Sequence, residues 1–166
     1  MSSCNRRIFL ASGVAVGLSA CGFQPVYRAG AAPDALRGSI LLPEAVDPIS
    51  FAYRERIRRR FGDAGDQARY ILENKTDLSE TGIAITQASD VTRYRVLGET
   101  SWRLIDRQNG EVVLADKASA FTGFDATSSA FSVREARKAA EDRLAAELAE
   151  LTISAISAHL SENDAS

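Results

Sequence analysis

Apolar and polar positions change period several times along this chain of 166 residues. After a leading apolar run, a short extended piece at Ser39 to Leu42 ends at Pro43. Asp47-Pro48 then sets a helix start, with Asp as N-cap and Pro at the first helical position. Ile49, Tyr53, Ile57 and Phe61 recur at every fourth position along one stripe, and Gly62 suits the stop. The pattern predicts one amphipathic helix of about fourteen residues.

The period then drops to two. In "TRYRVLGETSWRLID", Tyr94, Val96, Trp102 and Leu104 share one side of a strand, while Arg93, Arg95, Glu99 and Arg103 share the other. Asn109-Gly110 predicts the turn of a hairpin into "EVVLADKASAFTG". Upstream, Arg69 to Lys75 and Ile83 to Gln87 read as two extended pieces joined by a polar turn at Ser79 to Gly82. Beyond the loop "FDATSSAF" the helical period returns. Leu144, Leu148, Leu151 and Ala155 form one line, widened by Ala149, Ile153, Ile156 and Leu160, with Ser132 and Glu135 as a capping box. This order predicts an α+β fold: a two-layer sandwich with two helices on one face of a mostly antiparallel sheet of about four strands.

The leading segment is an address, not part of that fold. Arg6 and Arg7 precede the apolar run Ile8 to Leu18, and Leu18-Ser19-Ala20 places small residues before Cys21. That is the order of a secretory signal, and it is shorter than the roughly twenty apolar residues that span a bilayer. Leu-Ser-Ala-Cys is also a bacterial lipobox. Cleavage is expected between Ala20 and Cys21, whose thiol then carries diacylglycerol and whose amine carries a fatty acyl chain. Arg6-Arg7 leaves twin-arginine and general secretion both open. The expected organisation is a cleaved signal at 1–20, a lipidated Gly/Ala/Pro-rich tether at 21–38, a single domain at 39–160 and a frayed tail at 161–166.

Composition narrows the function. Cys4 leaves with the signal and Cys21 takes lipid, so no thiol remains for a disulfide, a metal or a nucleophile. Without Arg6 and Arg7, 18 basic residues face 22 acidic ones, a formal charge near −4 that argues against nucleic acid as partner. His159 is the only histidine, and no metal site is expected. Phosphate-binding glycine loops and nucleophile elbows are absent, and no catalytic residues are assigned. The densest charge feature is "YRERIRRRF", whose arginines spread around the first helix outside its apolar stripe; a solvated face and an anion-binding surface are both compatible with it.

Three stretches carry a resemblance: Cys21 to Tyr27, "TRYRVLGETSWRLIDRQNGEVV", and "REARKAAEDRLAAELAELTISAISAHL". In this order and spacing the chain resembles the LptE family of lipopolysaccharide-assembly lipoproteins. The resemblance implies two helices on a four-stranded sheet. It also implies an outer-membrane lipoprotein, not an enzyme, that plugs and helps assemble the LptD β-barrel and assists delivery of lipopolysaccharide to the cell surface. By the same resemblance, lipopolysaccharide would be held at the turn into the strand at Arg93 and the loop into the last helix at Arg134. No cofactor is implied beyond the acyl groups on Cys21. Competing expectations are a lipoprotein accessory subunit of another envelope transport system, and a periplasmic enzyme with two unmarked carboxylates.

Overall fold

The computed structural model describes residues 36–42, 44–85, 91–126 and 129–163. The elements in chain order are β1 (Ile40–Leu41), α1 (Pro48–Phe61), β2 (Tyr70–Ile85), β3 (Val91–Asp106), β4 (Val112–Asp125) and α2 (Ala130–Asn163). The strands lie side by side in the order β1-β2-β3-β4. β1 runs parallel to β2, and the two long pairings are antiparallel. The predicted α+β sandwich is the observed one.

Local chemistry sets α1. Asp47 Oδ1 accepts from Ser50 N at 2.7 Å and Ser50 Oγ accepts from Asp47 N at 3.1 Å, a reciprocal cap. Gly62, at φ 80°, ends the helix and donates to Arg58 O. Tyr53, Ile57 and Phe61 are buried along the predicted stripe. Leu36 is also buried, and Gly38 N donates to Phe61 O at 2.7 Å, so the last residues assigned to the tether pack with the domain.

Alternation sets the sheet faces. Val96, Thr100, Trp102 and Leu104 of β3 are buried, as are Tyr70 and Leu72 of β2 and Ala118 and Phe124 of β4. These positions are in register and face the helices. Gly98 lies on the same side, where a Cβ would stand 2.9 Å from Leu144 Cδ2, so glycine lets α2 approach β3 closely. α2 buries Ala140, Leu144, Ala145, Leu148, Ala149, Ile153 and Ile156. With 34 residues it is about 50 Å long, matching a strand of 16 residues, whereas the 14 residues of α1 reach about 21 Å. α2 can therefore back the sheet from end to end, but α1 only part of it. Leu78, on the helix side of β2, is 40% exposed.

Hydroxyl contacts join the two helices to each other and β2 to β3. Tyr53 OH donates to Thr152 Oγ1 at 2.8 Å, and Thr152 Oγ1 donates to Leu148 O. Thr76 Oγ1 donates to Thr100 Oγ1 at 3.0 Å within the sheet. Burial pushes the Tyr53 phenol up to about 12, against the lowering effect of its hydroxyl partners, so it remains a donor throughout the neutral range.

Four local expectations differ from the structure. No turn occurs at Ser79 to Gly82: β2 is continuous, with Ser79, Glu80 and Thr81 paired to Leu97, Val96 and Arg95. Their polarity reflects two solvent-exposed faces near the strand end, and the irregularity falls instead at Gly82, Ala84 and Ile85. Ser132 lies within the first turn of α2, where its N–H donates to Ser129 Oγ at 3.4 Å; the cap is therefore Ser129. Leu151 is 41% exposed, because Thr152 and Ser157 turn inward in a seam of hydrogen-bonded hydroxyls. The helix also runs on through Asn163, past the expected start of the tail.

Candidate functional site

The two ends of the sheet differ in chemistry. At one end the β3-β4 hairpin turns through Gly110, at φ 75°. Asp106 is tied there by Gln108 N at 2.8 Å and Arg69 Nε at 3.2 Å, which hold its carboxyl below the usual range. Among the described residues Asp106 is the one buried carboxylate, and a structural turn accounts for it.

The opposite end gathers arginines and aromatic rings. Ala126 N donates to Thr92 O, holding the exit of β4 against the entry of β3. On the open face Arg93 forks onto Asp125, with Nε 2.7 Å from Oδ1 and Nη2 3.4 Å from Oδ2. This contact raises the Arg93 pKa and holds the Asp125 carboxyl below its ordinary range, first through the hydrogen bond and then through charge. Arg95, two residues on, stacks over Phe121 at 5.6 Å. A shallow groove of about 270 Å³ runs between them, lined by Ile83, Arg93, Arg95, Phe121, Gly123 and Asp125.

On the helix side of the same end, Tyr94 and Phe124 stack at 5.2 Å. Arg137 covers Phe124 and donates to Glu80 at 2.8 Å, pinning α2 to β2. Arg143 donates to Gly123 O, and Arg134 lies over Phe131, which is 63% exposed.

The two loop arginines singled out in the sequence thus lie at one end of the molecule but in different layers. Arg93 is on the open sheet face with its fork held by Asp125, and Arg134 is in the first turns of α2 against Phe131. Cys21 and Ala20 lie outside the described residues. Phe121 and Arg137 were not singled out, and Arg95 stood only as one of the arginines sharing a face of the strand from 93 to 105. Alternation had put Arg95 beside Arg93, but its partner across the sheet depends on the register of β4.

Three of the arginines of α1 have partners within the domain. Arg56 pairs with Glu150 of α2, and Arg58 with Glu55 at 3.0 Å and Asp63 at 3.3 Å. Arg59 donates to Glu55 O. Exposed pairs of this kind are worth little each. His159 is half-buried near the end of α2, and no cluster of three metal-ligating side chains occurs among the described residues. No described helix is long and apolar enough to cross a membrane.

Known proteins share this arrangement. A lipoprotein structure from Caulobacter crescentus CB15 superposes with a TM-score of 0.65 at 21% identity, covering 80% of this chain and 98% of the other. The rare lipoprotein B of Shewanella oneidensis gives 0.54 at 12% identity, over 72% and 92%. A minor lipoprotein of Acinetobacter baumannii gives 0.50 at 13%, over 75% and 90%. At these identities the likeness concerns fold alone. No curated protein matches the chain in sequence. The profile of the LptE lipopolysaccharide-assembly family, however, matches residues 37–156, nearly the whole described fold. The chain belongs to the LptE family of lipopolysaccharide-assembly lipoproteins.

Proposed function

We infer that this protein is an outer-membrane lipoprotein, anchored through acyl chains on Cys21, that plugs an LptD-like β-barrel, helps it assemble and assists delivery of lipopolysaccharide to the cell surface. The observation that carries this reading is the family match over residues 37–156, on a fold of matching architecture. The role is one of binding and positioning. Two features support it. Most of the open sheet face is polar, with Glu73, Lys75, Asp77, Glu99 and Arg103 exposed or half-exposed, which suits the polar lumen of a barrel. The lipobox supplies a membrane attachment that the folded domain itself does not. More than one acyl chain makes such attachment stable, whereas one binds only marginally.

In this reading Arg93, at the entry of β3, and Arg134, in the first turns of α2, hold phosphates of lipopolysaccharide, with the Arg93 fork exchanging Asp125 for phosphate oxygens. Replacing either by Glu is expected to weaken binding of purified lipopolysaccharide about ten-fold, or 1.4 kcal/mol. The melting temperature should stay within a few degrees, because both positions are exposed. Unchanged affinity in both variants would remove these arginines from the binding surface.

A further inference from the structure

We propose that Arg95, Phe121 and their apolar neighbours form an additional subsite on the open sheet face. It takes a phosphate of an acylated sugar phosphate on the Arg95 guanidinium and part of an acyl chain on Ile83, Leu97 and Phe121. The proposal rests on the lipopolysaccharide reading above and gives that ligand a contact beyond the loop positions Arg93 and Arg134.

The open face is not uniform. Toward the hairpin end its charges are largely paired: Arg103 donates to Glu73 at 2.7 Å and Lys75 lies 3.1 Å from Asp77. Toward the other end it turns apolar. Leu97 stands directly opposite Phe121 in the register, and Ile83 comes alongside through the β2 irregularity. Their exposures are 38%, 71% and 47%, a cluster of large apolar side chains at the end of the face that carries the groove.

Charge distinguishes Arg95 from its neighbours. Arg93 is forked onto Asp125, Arg103 donates twice to Glu73 Oε2, and Arg137 donates through Nη2 to Glu80. Arg95 has no carboxylate partner among the described residues, and its observed contact is the Phe121 ring. A guanidinium braced flat against a ring keeps its N–H edge available for a phosphate, while the ring and its neighbours offer an apolar surface beside it. The groove lies at this point. Position 123 adds no side chain to it, since a Cβ there would stand 2.9 Å from Tyr94 O. The one carboxylate in the groove, Asp125, is held by Arg93, so Arg95 beside exposed apolar side chains fits an anionic amphiphile better than a free anion or a neutral lipid.

The test uses purified full-length protein in a neutral maltoside detergent, with lipopolysaccharide binding measured for wild type, Arg95→Gln, Phe121→Ser and Arg103→Gln. Arg95→Gln and Phe121→Ser are expected to bind about ten-fold more weakly, with Arg103→Gln unchanged. Dodecyl phosphate should compete with lipopolysaccharide on the wild type far better than inorganic phosphate does. Wild-type affinity in both groove variants would overturn the subsite while leaving the lipopolysaccharide reading intact. Equal competition by inorganic phosphate would overturn the acyl contact. Failure of the wild type to bind lipopolysaccharide would instead overturn the reading on which the subsite rests. All three substitutions are at exposed positions, so matching melting temperatures establish that each variant is folded.

Discussion

Leu148→Asp is expected to unfold the domain. Leu148 has no exposed surface and lies on the α2 face that packs on Gly98 of β3, within 3.1 Å of where a Cβ would stand. The substitution removes a leucine from the core, which alone costs about 2–5 kcal/mol on truncation, and puts a carboxylate among apolar side chains with no cation to meet it. The combined cost exceeds about 4 kcal/mol, comparable with the whole stability of a small domain. Leu151→Asp is the control. That side chain is 41% exposed, three residues along the same helix, and its replacement should cost within about 1 kcal/mol. Thermal unfolding followed by circular dichroism separates the two. A native-like melting temperature for Leu148→Asp would mean that α2 packs through a different face.

Cys21→Ala is expected to abolish membrane attachment. The lipobox reading makes this thiol the point where lipid is joined before the signal is removed, so the variant should accumulate as uncleaved precursor. Each buried methylene of an acyl chain contributes about 0.8 kcal/mol to membrane binding. Losing every chain therefore removes the anchor outright. Fractionation and intact-mass measurement report both effects. Normal processing and normal attachment of the variant would contradict the lipobox assignment and leave the fold unaffected.

How far the sequence disclosed the molecule depends on how local each determinant is. α1 was readable almost to the residue, because Asp47, Pro48, Ser50 and Gly62 act through contacts within one turn. The β3 faces were readable because alternation is strict from Arg93 to Leu104. β2 was read as two pieces because polar residues on both faces look like a turn unless the neighbouring strand is known. The exposed Leu151 and buried Thr152 of α2 were missed for a related reason: Tyr53, ninety-nine positions away, supplies the hydroxyl that lets a threonine sit inside.

The candidate site divides in the same way. Arginine positions at the two loops were visible in the sequence, but their states were not. Whether Arg93 meets Asp125, or Arg95 meets Phe121, follows from the β3-β4 register, and that register includes a shift between Leu104 and Ile105. A one-residue change in that irregularity would bring different side chains opposite both arginines.

The central claim is that this lipoprotein works inside a lipopolysaccharide-delivering barrel. Its most direct test is a mild-detergent pull-down of the C-terminally tagged chain from native membranes, with every stoichiometric partner identified by mass spectrometry. The expected result is one large outer-membrane β-barrel in equal amount. Recovery of an inner-membrane transporter instead, or of the chain with no partner, would contradict the plug reading and leave an accessory subunit of another envelope system as the better account.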